Sequence, residues 1–174
     1  MPLRLNLQQK DLFVSEMRDL VDKSNWFTQL VLTGPAHWRN ENELYKWLKK
    51  DAGVPGKMNC WEAVLVAGAQ ARLWGKDYVE KAVSKVNGLS RLAAYMSRSG
   101  FVFPRGVYRA EDVGLIVMFG DLGEHFALTC GDGNVIELDK FEKGMQSIGE
   151  VSGRSPYCNN PRVHVAAPPK LEEL

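Results

Sequence analysis

One segment of the chain, residues 55–69, constrains the fold more than any other, because it joins a breaker loop to an apolar helix. A Pro-Gly pair interrupts what precedes it, and the side-chain oxygen of Asn59 can accept an unpaired backbone N–H at a helix N-terminus. The sequence therefore predicts a helix that begins at Cys60. Every residue from 63 to 69 is apolar or glycine, so this helix has no wide solvated face and is expected to run through the core.

A cysteine at the N-terminus of a helix has two interpretations. The unpaired N–H groups and the positive end of the helix dipole favour the thiolate, which is the nucleophilic form. Free cysteine is also among the most buried residue types, and it usually packs as a small apolar side chain. The choice for Cys60 therefore depends on the polar side chains that the rest of the chain brings near it.

Composition and cysteine usage limit the kind of protein this can be. With 174 residues, 45% of them hydrophobic and 25% charged, residues 1–174 are expected to form a single domain with a real core. The net charge of +1 and the scattered basic residues give no reason to expect a nucleic-acid partner. The widely spaced Cys60, Cys130 and Cys158 favour neither a disulfide framework nor a zinc site, although Cys130 and Cys158 could pair after export. No metal or other cofactor is expected.

The hydropathy pattern bears on where the chain works. No apolar run reaches about 18 residues, and the first residues lack a cleavable signal pattern, so we expect no membrane span. The protein is expected to be made in the cytoplasm. Secretion without a cleaved signal, or delivery to a target cell, stays open.

Two periodicities divide the chain. Helical spacing predicts four helices besides the one at Cys60: Gln8 to Lys23, Asn40 to Asp51, Asp77 to Asn87, and Ser90 to Met96. The Cys60 helix is expected to fade at Trp74 and Gly75. Strand patterns predict Val113 to Phe119, His125 to Cys130, Asn134 to Asp139, and Arg162 to Ala166. A helical part, 1–98, followed by a sheet part, 101–167, gives an α+β fold in which N-terminal helices pack on a small antiparallel sheet.

A hairpin supplies the polar partners for the cysteine. A three-residue Gly-Asp-Gly loop at 131–133, with its last glycine left-handed, places His125 opposite Asp139 and Ala127 opposite Glu137. Glu137 is then a diagonal neighbour of His125 on the same face of the sheet. A two-residue turn would shift the register by one and move both acids to the other face.

A histidine held by a carboxylate is kept in one tautomer and is stabilised when it takes a proton from a thiol. Cys60, His125 and either Asp139 or Glu137 therefore fit the roles of nucleophile, base and orienting group. The backbone N–H of Cys60 is one expected donor to the oxyanion. Asn59, Lys57 and the Trp61 backbone are candidates for the second donor.

This order of residues resembles the papain-like superfamily in its broad sense, over roughly residues 55 to 140. The apolar strand in 110–119, the His-led strand and the Gly-Asp-Gly turn are similar to NlpC-type and CHAP-type peptidoglycan hydrolases, and that likeness implies Glu137 as the third residue. The segment from His125 to Asp139 also resembles transglutaminase-like glutamine deamidases among bacterial effectors and toxins, which implies Asp139. The sequence Asn-Cys-Trp-Glu at 59–62 differs from the Asp-Cys-Ser and Gly-Cys patterns common in those families, so the subfamily stays open.

The resemblance implies a papain-like fold and a cysteine-dependent amide hydrolase that acts on a protein or peptide. A bacterial effector or toxin working as a protein glutamine deamidase or peptidase is the leading interpretation, and a cognate inhibitor protein is a possible partner. A peptidoglycan peptide amidase is the first alternative. A non-catalytic binding module, with Cys60 in the core, is the alternative from a different class.

Overall fold

The computed structural model of the chain describes the residues 5–26, 43–50, 52–84, 88–99, 101–102, 113–120, 125–131, 134–138, 140–141, 144–145, 148–152 and 163–169. Within these ranges the fold is α+β, as predicted, with helices in the first part of the chain and a mainly antiparallel sheet in the second. The helices are α1 (Leu7–Lys23), α2 (Glu43–Lys50), α3 (Cys60–Gln70), α4 (Lys76–Ser84) and α5 (Gly88–Ser99).

The strands fall into one large sheet and two short pairs. They are β1 (Asn25–Trp26), β2 (Lys57–Met58), β3 (Phe101–Val102), β4 (Val113–Phe119), β5 (His125–Cys130), β6 (Asn134–Glu137), β7 (Lys140–Phe141), β8 (Gly144–Met145), β9 (Ile148–Ser152) and β10 (Val163–Ala166). The large sheet has the order β3-β10-β4-β5-β6-β9 and is antiparallel throughout. Strands β1 and β2 form a parallel pair, and β7 and β8 an antiparallel one.

Helix α1 covers the core with one face, as its periodicity predicts. The side chain of Asn6 accepts the Gln9 N–H, and the Gln9 side chain accepts the Asn6 N–H, so a complete capping box starts the helix. Its buried residues are Phe13, Val14, Met17, Leu20 and Val21. Leu12, in the same helix, is 41% exposed.

Helix α3 is the central helix, and it begins at Cys60 behind an Asn59 cap, as predicted. Every residue from 60 to 68 is buried, which agrees with the absence of a solvated face in the sequence. The predicted end near Trp74 is wrong, because α3 ends at Gln70. Arg72 adopts a left-handed conformation with φ of 59°. The N–H groups of Arg72 and Leu73 donate to the carbonyls of Ala69 and Gly68, and these bonds form a Schellman turn at the end of the helix.

The other helices differ from prediction in detail. Helix α2 lies within the predicted Asn40 to Asp51, and its buried residues are Leu44 and Trp47. Helix α4 begins at Lys76, one residue before its predicted start, so Asp77 lies in its first turn. Helix α5 extends beyond the predicted Ser90 to Met96 at both ends. The predicted helix start at Asn40 lies outside the described residues.

The sheet follows the sequence closely at its centre. Strands β4 and β5 have the predicted bounds, and the predicted hairpin register is confirmed because Ala127 lies opposite Glu137. Strand β6 ends at Glu137, and Asp139 lies outside the described residues. Strand β9, which pairs with β6, was not predicted.

Strand β4 is buried on both faces, as its unbroken apolar run predicts. Ile116 and Met118 point into the larger apolar cluster, which the helices share, whereas Val117 and Phe119 belong to a smaller cluster on the other face. The smaller cluster consists of Val117, Phe119, Ala127, Val135, Val163 and Val165. The sheet therefore separates two apolar layers.

A tight contact between α3 and the segment after it gives a test of the fold. The Trp74 indole lies against Gly68, where a methyl group would come within 1.9 Å of the ring. The indole is held there by its hydrogen bond to the Leu65 carbonyl at 2.9 Å, an edge contact with Phe13 and a stack on Tyr78.

We predict that Gly68→Ala lowers the free energy of unfolding by about 1–3 kcal/mol, because a hydrogen bond and two ring contacts hold the indole where the added methyl group would lie. Chemical denaturation of the two proteins measures the effect. Gly53→Ala is the matched control, since no heavy atom lies within 4 Å of the added methyl group there. A Gly68→Ala protein as stable as the parent would contradict this packing.

Candidate active site

His125 and Glu137 form a close pair at one end of strand β5. The His125 Nε2 lies 2.8 Å from the Glu137 Oε2. The histidine side chain is 13% exposed and the glutamate side chain is fully buried. Since Ala127 is the residue directly opposite Glu137, the pair is the diagonal neighbour that the hairpin register predicts.

The two side chains lie on the face of the sheet that carries the smaller apolar cluster, because side chains alternate along a strand. Phe119 is directly opposite His125 on β4, and the centres of the two rings are 5.3 Å apart. This packing restricts the imidazole on one side. The carboxylate of Glu137 restricts it on another.

Cys60 also contacts the imidazole, because its side chain is hydrogen-bonded to His125. The cysteine is 9% exposed, yet it belongs to neither apolar cluster of the described residues. Its neighbours on α3 from Trp61 to Ala67, Glu62 apart, are members of the larger cluster. Cys60 therefore lies at the end of the core helix with a polar partner and does not pack as one more apolar side chain.

The protonated form of His125 is favoured by its surroundings. Burial alone lowers the pKa of His125, but hydrogen bonds with Cys60 and Glu137, together with the charges of both groups, outweigh burial and raise the pKa to about 10. At neutral pH the ring is therefore an imidazolium between two acidic groups.

The start of α3 is closed by a second capping box. The Asn59 side chain accepts the Glu62 N–H at 2.9 Å, and the Glu62 Oε2 accepts the Asn59 N–H at 2.9 Å. The oxygen and the backbone N–H of Asn59 are therefore both engaged, so only its side-chain NH₂ group could serve an oxyanion. The N–H groups of Cys60 and Trp61 have no carbonyl to bond within the helix, as at any helix start. Lys57, the other candidate, is exposed on β2.

Glu62 is fully buried, which is unusual for a residue in a capping box. Burial raises the pKa of its carboxyl group to about 8, against the opposing effect of the Asn59 N–H. Within the described part of the chain, Glu62 Oε1 and Trp61 Nε1 are buried polar atoms without a hydrogen-bond partner. Sequence reasoning assigned no role to Glu62, although the Asn-x-x-Glu spacing is the signature of a capping box.

Three of the predicted site residues thus come together: Cys60, His125 and Glu137. Their catalytic roles stay predictions. Asp139 lies outside the described residues, so its predicted contact with His125 is not tested. The geometry supports Glu137 as the orienting group.

Among the remaining histidines and cysteines, the structure describes His164 on β10 and Cys130 on β5. His164 lies opposite Met118 on β10, whereas His37 and Cys158 are outside the described residues. In the ranges that the structure covers, no group of three or more His, Cys, Asp or Glu side chains is placed to hold a metal ion. None of the helices described has the length and apolar character needed to cross a membrane.

Comparisons with protein-family models, with curated proteins and with solved structures gave no match for this chain. The interpretation of the site therefore rests on its residues and their geometry.

The buried Glu62 predicts an unusual dependence of stability on pH. The pKa of Glu62 is about 8 in the folded chain, against an ordinary value of 4.5, so the folded state keeps a proton that the unfolded state loses between these two pH values. The contribution of Glu62 to stability is therefore largest below pH 4.5. It falls as the pH rises and levels off above pH 8. The slope is on the order of 1 kcal/mol per pH unit.

Glu62→Gln should remove that slope, because glutamine can accept the Asn59 N–H without carrying an ionisable group. Denaturant unfolding of both proteins between pH 5 and pH 8, a window inside the two values above, measures the difference. Gln9→Glu is the control, since it adds a carboxyl group to the exposed capping box of α1. Equal slopes for the parent and Glu62→Gln would contradict the burial of an ionisable group.

Proposed function

We propose that this chain is a cysteine-dependent amide hydrolase with a papain-like arrangement of a nucleophile helix on an antiparallel sheet. The observation that carries the proposal is the contact of one imidazole with two acidic groups: His125 is hydrogen-bonded to Cys60 and, at 2.8 Å, to Glu137. This arrangement supports Cys60 as nucleophile, His125 as general base and acid, and Glu137 as the group that orients the ring.

The electrostatics of the group favour a protonated His125, because the Cys60 side chain and the Glu137 carboxylate outweigh burial and raise the pKa of the imidazole to about 10. The thiolate is the form that attacks a carbonyl carbon. The start of α3 favours the same form, because its unpaired N–H groups carry a partial positive charge.

The two ring nitrogens have separate tasks in this mechanism. Nε2 is engaged with Glu137, so Nδ1 is the nitrogen that exchanges a proton with the substrate. The Cys60 sulfur attacks the carbon of the amide, and the carbonyl oxygen becomes an oxyanion. When the oxyanion collapses, the C–N bond breaks, and His125 donates its proton to the leaving ammonia or amine.

The second half of the reaction releases the product. The acyl group is held as a thioester on Cys60, and neutral His125 takes a proton from an incoming water. Hydroxide adds to the thioester carbon, the C–S bond breaks, and the thiolate and imidazolium are restored. The net change is an amide and a water converted to a carboxylic acid and ammonia or an amine.

The access to the site favours a slender substrate group. Cys60 is 9% exposed and the His125 side chain 13%. A glutamine side chain reaches into such an opening more easily than a peptide backbone with side chains on both sides. Deamidation of protein glutamine, as a delivered bacterial effector or toxin would perform it, is therefore the preferred reaction. Cleavage of a peptide or of a peptidoglycan stem peptide is the rival.

Two substrates separate these reactions. The chain and its Cys60→Ala variant are incubated with a glutamine-rich protein such as casein, and with purified muropeptides. Deamidation releases ammonia and exchanges an NH₂ group for OH in the mass of an otherwise intact protein, whereas the wall enzyme shortens the muropeptides. Release that is equal for the parent and Cys60→Ala, or absent with both substrates, would count against a hydrolase and favour a binding module.

Once a substrate is found, two acid variants identify the orienting residue. We predict that Glu137→Gln lowers kcat/KM strongly, because the amide cannot stabilise the imidazolium, and that Asp139→Asn lowers it much less. His125→Ala should lower it by about 10²- to 10⁴-fold, the usual contribution of a positioned general base. A larger loss with Asp139→Asn than with Glu137→Gln would transfer the role to Asp139.

A further inference from the structure

Glu62 occupies a position that helix capping alone does not explain. It is fully buried, it lies two residues after the proposed nucleophile, and one of its carboxyl oxygens has no hydrogen-bond partner. A buried polar group without a partner is unfavourable to folding.

The chain contains a second capping box for comparison. At the start of α1, Asn6 and Gln9 exchange hydrogen bonds of 2.9 and 3.0 Å at the exposed surface. That box uses a neutral amide. The box of α3 has the equivalent two bonds, each of 2.9 Å, but places them in a partly buried site with an acid that is desolvated.

The two hydrogen bonds of the α3 box join the residue before Cys60 to the residue two positions after it. Glu62 holds the N–H of Asn59, the residue before the cysteine, and Asn59 in turn holds the N–H of Glu62. Directly before Asn59, Met58 is fully buried and paired with Trp26 in the parallel β1–β2 ladder. The backbone on both sides of Cys60 is thus fixed, and with it the direction of the Cα–Cβ bond that carries the thiol.

We infer that Glu62 is a positioning residue, whose hydrogen bond to the Asn59 N–H holds the Cys60 thiol in line with His125. This inference rests on the proposed function, because alignment matters only if the thiol and the imidazole work together. Glu62 itself is not expected to touch the substrate.

The test uses the reactivity of Cys60 in place of an unknown substrate. Iodoacetamide is the probe, and peptide mass spectrometry reports the rate at Cys60 separately from Cys130 and Cys158. Glu62→Gln keeps an acceptor for the Asn59 N–H, whereas Glu62→Met has a similar volume and no acceptor. We expect Glu62→Gln to react at nearly the parent rate, and Glu62→Met to react about 10-fold more slowly or worse, since a misplacement of about 1 Å can cost 10²-fold.

A double-mutant cycle separates alignment from stability. In a His125→Ala background there is nothing to align with, so Glu62→Met should change the Cys60 rate little, and the two effects should be strongly non-additive. Gln9→Ala is the matched control, because it removes the equivalent bond from α1 and should leave the Cys60 rate unchanged. Melting temperatures of all variants show whether a loss of rate accompanies a loss of fold.

The outcomes decide the inference. Suppose that His125→Ala slows the alkylation of Cys60 while Glu62→Met reacts at the parent rate, or that the two effects simply add. Glu62 then does not position the thiol, and the proposed pair of Cys60 and His125 is kept without this role for Glu62. If His125→Ala leaves the rate unchanged, the proposed pair fails, and the positioning role fails with it. Should Glu62→Met not fold, Glu62→Leu replaces it. Failure of both to fold assigns Glu62 a structural role only and overturns the inference.

Discussion

The buried carboxylate of Glu137 is the constraint on which the arrangement of the site depends. A carboxylate with no exposed surface is costly unless a partner of opposite charge or a donor meets it. His125 is that partner at 2.8 Å. The hairpin register brings the two together, and a shift of one residue would place them on opposite faces. Stability of the sheet and orientation of the imidazole therefore rely on the same contact.

The apolar helix α3 places the cysteine of the proposed site. Because it has no solvated face, the core surrounds it from Trp61 to Ala67, and its first turn meets the polar side chains of the site. The cysteine at that first turn is thus placed by the same burial that holds the helix. The chain combines a nucleophile fixed by packing with a base fixed by strand pairing, and the two meet where the helix begins and strand β5 begins.

Much of this could be predicted from sequence, because it depends on local rules. Asn59 caps the helix and the alternation along the hairpin puts Glu137 beside His125, and both follow from neighbouring residues alone. The end of α3 could not be predicted in this way, since Arg72 adopts a left-handed conformation more typical of glycine. The burial of Glu62 was equally hidden, because an Asn-x-x-Glu box normally lies at the surface and only tertiary packing encloses it.

The protonation state of His125 tests the account most directly. Nitrogen chemical shifts of the ring, assigned with a His125→Ala variant, report it as a function of pH. We predict that both ring nitrogens stay protonated until the pH approaches about 10, and that Cys60→Ala and Glu137→Gln each lower this pKa. A ring that loses its proton near the ordinary value of about 6.5, and does so equally in the variants, would contradict the coupling of Cys60, His125 and Glu137.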